Sequence, residues 1–401
     1  MLNHYDVIVV GAGSAGIAAA VCSVRNGART LLLEKDSVHG GLAVRGNLPT
    51  ICGLFMQVPG SAPEFLYDGF PCEVALKLMK HDSVAAPVKM GRVHVLPCRP
   101  GTFQKVSTDL LAAEKNLQVL YNVRIRNVHV HENCIHKIDL TEKKTQHCIE
   151  TDAVIDCTGE AVVCHMAGLE TIPEEECSQV PAILFSMDTT GGIFFSRSNM
   201  MNMLVRIKRA VDSGGLPQGA DAVSFVPEVG GDALIVKLNL GVFLRPDQKI
   251  DEKELEKKAN ELKQELSAFL LKNIEGFDQS SSFSAISPVL KRTGRRARGS
   301  YVLTGKDVLT GARFPDAAAR GCWPVEKYHF LRGYQVSYPP DGTCYEIPAR
   351  SLTVSGVDNL FVAGKCISAD DDAIASARVI GCCLATGESS AKLASQKVCC
   401  V

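Results

Sequence analysis

The stretch that decides the fold is Tyr5-Asp6-Val7-Ile8-Val9-Val10-Gly11-Ala12-Gly13-Ser14-Ala15-Gly16. Its first half is short, β-branched and stopped by glycine, the pattern of a strand buried on both faces in a parallel sheet. Ile17 to Arg25 follows as an Ala-rich segment without breakers, read as a helix that ends in the turn chemistry of Asn26-Gly27. Thr30-Leu31-Leu32-Leu33 reads as a second strand with Glu34 at its end. Each part suits a dinucleotide. Gly11 permits a tight turn, Gly13 lets the backbone approach a pyrophosphate, and Gly16 lets helix and strand close up. The helix start, with Ser14 and Ala15, offers free N–H groups and a positive dipole end to phosphates. Glu34, with Lys35 beside it, is placed to accept from a ribose diol. A lone GxGxxG says little, but strand, glycines, helix, strand and acid in this order say much more. The uncharged run Val7 to Val24 is long enough for a membrane span, yet its three glycines belong to the turn.

The chain has 401 residues, more than one ordinary core organises, which predicts two domains. Lys plus Arg is 43 and Asp plus Glu is 44, a formal net charge of −1 that lacks the positive field a phosphate backbone requires. Nucleic acid is therefore not expected as a partner, nor is a membrane. The 16 cysteines include no C-x-x-C, so they read as reduced thiols in a cytoplasm, with no metal expected. No Lys or Arg precedes the apolar opening stretch, so it does not read as a secretory leader. His129, His131, Cys134 and His136 have the look of metal ligands, but a polar, solvent-facing hairpin is the preferred reading.

Farther along, Leu117 to Leu140 reads as a β-hairpin region with Glu132-Asn133 at its turn. Asp152 to Asp156 is a strand running into the small-residue turn Cys157-Thr158-Gly159. Ala233 to Leu240 is a strand candidate. Asp251 to Lys272 is an amphipathic helix with Leu255, Leu262, Leu266, Phe269 and Leu270 on one face. Asn359-Leu360-Phe361-Val362-Ala363-Gly364 is a buried strand ending in glycine, and a helix is predicted from about Ala373 to Ala394. No second GxGxxG occurs, so a separate nicotinamide-binding domain is not expected.

With these motifs together, the sequence resembles the FAD-dependent oxidoreductases of the glutathione-reductase superfamily, in the branch with a single dinucleotide fold, distantly similar to fumarate reductase flavoproteins. The motifs carrying the resemblance are the GxGxxG with Glu34, the Gly40-Gly41 loop, Cys157-Thr158-Gly159, the stretch from Arg292 through Gly299 to Thr304, and the strand to Gly364 with its helix. The resemblance implies an α/β fold: a Rossmann-type FAD-binding domain from 1–170 and 340–401, with an inserted α+β substrate or cap domain over 171–339. It implies that FAD lies along Gly11 to Gly16 and Glu34, that the backbone near Val123 meets the adenine, and that Gly40 and Gly41 wrap the dinucleotide. Thr158 and Gly159 would line the pyrophosphate. Gly364 and the helix start at Ala373 would reach the isoalloxazine, the helix dipole favouring negative charge on the reduced ring. Where relatives carry a Thr-His-Glu-like stretch, this chain has Asp370-Asp371-Asp372, read as outward-facing caps.

The expected chemistry is hydride transfer between a small organic substrate and flavin N5. Arg296, in the basic run Lys291 to Arg298, is the candidate clamp for an anionic or carbonyl group, against a structural ion pair. His329 is the candidate acid–base group, oriented by Glu326, against a packed interface histidine. Cys52, in the loop after Gly41, is the third candidate, against a small buried residue. Two rivals remain: a thiazole-synthase-like enzyme that binds an adenine dinucleotide without redox turnover, and a non-catalytic electron-transfer subunit served by a donor or acceptor protein. A homodimer is left open.

Overall fold

A computed structural model describes residues 2–173, 179–188, 197–228, 233–241, 252–274, 283–285, 287–292, 294–329 and 333–398. Asp251, Thr293 and the closing cysteines lie outside them. Strands β1 (His4–Val10), β2 (Thr30–Leu33), β3 (Leu117–Leu120), β4 (Val123–His131), β5 (Cys134–Glu142) and β6 (Thr145–Asp156) precede a second set. That set is β7 (Ala182–Asp188), β8 (Val223–Pro227), β9 (Ala233–Asn239) and β10 (Phe283–Ala285). A hairpin, β11 (Val325–His329) and β12 (Gly333–Ser337), and a last strand, β13 (Leu360–Val362), complete them. The helices that frame the site are α1 (Ser14–Arg25), α2 (Arg197–Asp212), α3 (Glu252–Asn273), α4 (Asp371–Ala377) and α5 (Ile380–Val398).

The main sheet runs β3-β2-β1-β6-β5-β4, with β13 also on β6. β3, β2, β1, β13 and the end of β6 are parallel; β4, β5 and the start of β6 form an antiparallel meander. The continuous apolar run of β1 has a simple cause. Val7 and Val9 face α1 and α5, while Ile8 and Val10 face the meander and the strand Leu360–Val362, so both faces are buried. Burying a side chain such as Ile17 or Val21 contributes about 1.5–3 kcal/mol. α1 and α5 meet closely because the contact is made of small residues: a Cβ on Gly387 would lie 2.2 Å from the Ala15 carbonyl oxygen.

The meander turns at Glu132 and Asn133, both left-handed (φ 49 and 59), as a tight hairpin requires. Leu117–Leu120, expected within this hairpin, instead runs parallel to β2, because its side chains continue the central core. β6 is shared between two neighbours. β5 pairs with its residues 145–150 and β13 with 154–156. Asn359 closes the fork, its amide bonding both N–H and C=O of Ile135 and the Asp152 carbonyl, each at 2.8 Å.

The second sheet is antiparallel, in the order β8-β9-β7-β10, and packs on α2 and α3. Leu255, Leu262, Leu266 and Leu270 of α3 are buried there, as their spacing predicts. A further core gathers Leu303, Tyr345, Ile347 and Ile374. The terminal helix is broken in two around Arg378 and Val379. The first turn of α5 presses on the 52–54 loop, where a Cβ on Gly381 would meet the Gly53 oxygen at 2.5 Å. No helix among the described residues is long and apolar enough to cross a membrane.

Candidate functional site

The turn after β1 is built to take a phosphate. Gly11 has φ +96, which only glycine adopts without strain, and a Cβ on Gly16 would lie 1.7 Å from the Gly11 oxygen. Around Gly13 a Cβ would meet nothing within 4 Å, so this side of the turn is open. α1 starts on Gly13 without a side-chain cap, leaving its first-turn N–H groups for an anion. The Gly40-Gly41 pair crosses the turn: the Gly40 N–H donates to the Ala12 oxygen at 2.7 Å, and a Cβ on Gly41 would lie 2.9 Å from Gly13 Cα. Buried Glu34 accepts from the Ala12 N–H (2.7 Å) and the Asp36 N–H (3.0 Å), keeping its carboxylate fixed beside the open turn. These residues fit a dinucleotide. Lys35, by contrast, is exposed.

Other expected contacts stand in more committed positions. The Val123 N–H donates to the Glu34 carbonyl (3.0 Å), which anchors β4 but leaves that N–H no role in reading a base. Thr158 bonds Asp156 through both its N–H and its hydroxyl. Burial raises the Asp156 pKa, with bonds from Thr158, Val163 and Cys366 acting the other way. Gly159, at φ +77, bridges the Lys365 side chain: a Cβ there would lie 2.9 Å from Lys365 Cε. Gly364 (φ +65) approaches Ala15 so closely that their β-carbons would be 2.9 Å apart.

A row of groups leads from this turn into the inserted segment. The Lys365 ammonium donates to the Lys291 carbonyl (3.3 Å), and burial lowers its pKa. Next along the chain, Arg292 is buried, bonds Val180 O and Asn239 Oδ1, and stacks over the Tyr328 ring at 4.1 Å. Lys237, on β9, lies over the same ring at 4.1 Å and donates to the Tyr328 hydroxyl at 2.7 Å. Tyr328 in turn donates to Glu326 Oε1 at 2.9 Å, while Trp323 Nε1 donates to Oε2 at 3.4 Å. Arg378, at the break between α4 and α5, bonds the carbonyls of Arg292 (3.3 Å) and Glu326 (3.2 Å).

Lys237, Arg292 and Arg378 thus gather about Tyr328 and the Glu326 backbone, with the Glu326 carboxylate reached through the Tyr328 hydroxyl. Burial and then Arg292 bring the Lys237 amine down to about 7, with Glu326 opposing. Burial and then Arg378 lower Arg292 to about 10. Burial alone would raise Glu326, but Lys237, Arg378 and the bonds from Tyr328 and Trp323 hold it below the usual carboxylate value. Burial and Glu326 push the Tyr328 phenol up. Such an arrangement can bind an organic anion and exchange a proton near neutral pH.

The sequence-derived catalytic candidates divide. Arg296 is buried and fully engaged, bonding Ala369 O (2.8 Å), Pro173 O (2.9 Å) and the Asp371 carboxylate (2.5 Å). It ties the insert to α4 and points at no open space, because a buried guanidinium must satisfy its donors locally. His329 and Glu326 are three apart on one strand and so face opposite sides; Glu326 is oriented by Tyr328 and Trp323 instead. Cys52 does adjoin the cluster, packed among Val93, Val95, Trp323 and Val379, with its carbonyl accepting the Gly381 N–H at 2.9 Å. Burial, then Glu326, pushes its thiol up to about 12, against thiolate chemistry.

The acidic triplet is likewise divided. Asp370 caps α4 through the Ala373 N–H (2.7 Å) and also accepts from the Gly305 N–H (3.0 Å). Asp371 is buried against Arg296 rather than facing outward as a cap, while Asp372, its side chain about half exposed, pairs with Lys327. Ala373 is buried in the core, and its N–H is taken by the Asp370 cap. Of the hairpin histidines, His131 and His136 have ring centroids 5.9 Å apart, His136 bonding the His131 carbonyl at 3.1 Å, while His129 bonds Asp139 at 2.7 Å. Among the described residues one group, His4, Asp6 and Asp152, could hold a metal.

Sequence reading missed Lys237, Tyr328, Arg378 and Lys365. One signal was there: Lys237 is the lone charge in Ala-Leu-Ile-Val-Lys-Leu-Asn, an otherwise apolar strand.

A family model described as "FAD dependent oxidoreductase" matches residues 6–399. A thioredoxin reductase of Ureaplasma parvum is 38% identical over 63 residues, 16% of this chain and 19% of that protein's length. Among solved structures, a geranylgeranyl bacteriochlorophyll reductase-like protein of Thermoplasma acidophilum is 15% identical, covering 98% of this chain and 77% of its own, with TM-score 0.48. A flavoprotein/dehydrogenase of Cytophaga hutchinsonii is 14% identical, covering 98% and 78%, with TM-score 0.46. THI4 of Thermovibrio ammonificans is 15% identical over 43% of this chain and 67% of its own, with TM-score 0.32. At such likeness these structures add nothing to the reading of the site.

Proposed function

Given that this chain belongs to the FAD-dependent oxidoreductase family, we propose that it moves a hydride between a small anionic organic substrate and flavin N5. One observation carries this reading: Lys237 and Arg292 both lie over the Tyr328 ring, Tyr328 donates to the Glu326 carboxylate, and Arg378 bonds the Arg292 and Glu326 carbonyls, beside the loop that holds Cys52 and the start of α5. Bound FAD supplies the two-electron centre. Gly11 to Gly16, Gly40, Gly41 and Glu34 hold the dinucleotide, and Lys365 lies between that turn and the cluster. The cations bind the substrate's anionic group, a carboxylate being the simplest. Trp323, whose indole N–H donates to Glu326, covers one side of the cluster.

The test is an anaerobic mixture of the FAD-loaded protein with glycolate, L-lactate, glycine, glucose, NADH and NADPH in turn, following the flavin band. Bleaching by a carboxylate that is lost in Arg292→Met supports the proposal. Bleaching by glucose alone overturns the anionic substrate. Bleaching by a nicotinamide cofactor would make the chain a reductase whose organic anion is the electron acceptor.

A further inference from the structure

Lys237 is half-buried and sits on the inward run of β9. Nothing in the packing of an apolar strand calls for a lysine there, and two arginines nearby raise its cost. Its ammonium is nevertheless held in one place, over the Tyr328 ring and on the Tyr328 hydroxyl. From Tyr328 the hydrogen bonds continue to Glu326, on a hairpin whose next strand, β12, is exposed. A fixed amine at one end and a carboxylate at the other make a proton path.

We infer that Lys237 is the catalytic acid–base group of this site, and that Tyr328 and Glu326 connect it to solvent. The inference rests on the proposed hydride transfer and adds the residue that completes it. For an alcohol or amine substrate HC–XH, the C–H hydrogen leaves with its electron pair as hydride to the flavin. The X–H bond breaks, its electron pair forms C=X, and the proton goes to the neutral Lys237 Nζ. Two electrons and one proton would leave as that hydride to bound flavin, and the lysine becomes an ammonium. That ammonium donates to the Tyr328 oxygen while the Tyr328 O–H donates to Glu326, so the proton leaves along bonds already present. In the reverse direction the ammonium protonates the product oxygen or nitrogen.

The charged and titratable groups that face Lys237 come from every element packed on it. They are Arg292 before residue 294, Glu326 and Tyr328 on β11, Arg378 after α4, and Cys52 in the loop after Gly41. Burial and the two arginines favour the neutral amine, and Glu326 opposes them, giving a value of about 7. That lies near the operating pH, where a general acid–base group works best in both directions.

The experiment is competitive acetylation of the FAD-loaded full chain with acetic anhydride from pH 5 to 11, read peptide by peptide by mass spectrometry. Exposed Lys257 serves as the reagent control. Lys237 labelling is expected to rise with a midpoint near 7, against roughly 10.4 for an ordinary lysine. In Glu326→Gln the midpoint falls further, because the one opposing anion is gone. A midpoint near 10, no labelling at any pH, or a midpoint unmoved in Glu326→Gln overturns the inference. With whichever carboxylate bleaches the flavin, Lys237→Met is expected to slow bleaching by about 10²–10⁴-fold. Lys237→Arg keeps substrate affinity but loses the pH dependence around 7. Tyr328→Phe should slow return of the proton without abolishing bleaching. If no carboxylate bleaches the flavin, the substrate class fails, while the labelling still decides on Lys237.

Discussion

The turn at Gly11–Gly16 and the cluster around Lys237 solve opposite problems. The turn is made of backbone, and Gly11 and Gly16 stand where neighbouring backbone leaves no room for a side chain, while Gly13 stays open. The cluster is made of side chains from β9, β11, the segment at Arg292 and the α4–α5 break, residues separated by tens to more than a hundred positions. A backbone device tolerates almost no substitution but asks little of the rest of the chain. A side-chain device needs the whole insert to be folded before it exists, yet single members can be exchanged with the fold intact.

The largest expected effect falls on the turn. Gly16→Val puts a side chain onto the Gly11 oxygen, so the protein should be recovered without a flavin band or not recovered folded. Gly13→Ala, where a Cβ meets nothing, should fold normally and only weaken FAD retention; both are read from the ratio of flavin to protein absorption. Equal loss in both variants would break the contrast between a steric and a binding role.

Next comes the buried ion pair that the cluster does not use. Arg296→Met leaves Asp371 buried and alone, which should cost about 3–5 kcal/mol in urea unfolding. A double variant with Asp371→Leu should recover most of it. A small loss in the single variant would return Arg296 to the list of substrate ligands.

The pH dependence of stability is smaller and carries a definite sign. Lys237 titrates lower in the folded chain than in the unfolded one, so the unfolded chain binds more protons above pH 7. Stability should therefore rise from pH 7 to about 8.5, by less than about 1.4 kcal/mol per unit. The slope should be absent in Lys237→Met. Above that window, unfolded thiols ionise and the twelve buried or part-buried cysteines among the described residues would mask it, since burial pushes thiols such as Cys157 and Cys366 up in the folded chain. The smallest effect is on Cys52→Ser, expected to change flavin bleaching by no more than about twofold, or 0.4 kcal/mol. A large loss would restore the thiol to the chemistry.

What the sequence revealed follows the same division. β1, the glycine turn, α1, β2 and Glu34 are local, and each residue's job can be stated from its neighbours, which is why they were readable. The basic run from Lys291 to Arg298 looked like one unit. Folding sends its members apart: Arg292 to Tyr328, Arg296 to Asp371, Arg298 to Glu170. Strand alternation separates Glu326 from His329, a consequence visible only once the segment is known to be a strand. Tyr328 and Arg378 gave no local sign, since nothing in their own segments shows what crosses over to meet them.

The fork at Asn359 bears on how the chain is made. Residues 154–156 of β6 find their outer neighbour only when residue 360 and its surroundings exist, some two hundred positions later. While the ribosome works through that interval, the nascent sheet lacks a neighbour at residues 154–156, in the strand that leads directly into Thr158 and Gly159. An unpaired edge is a template for other chains. The fork should therefore set the order of events: the amide of Asn359 arrives long after β6, joins the meander to the last strand, and closes the gap beside residues 154–156.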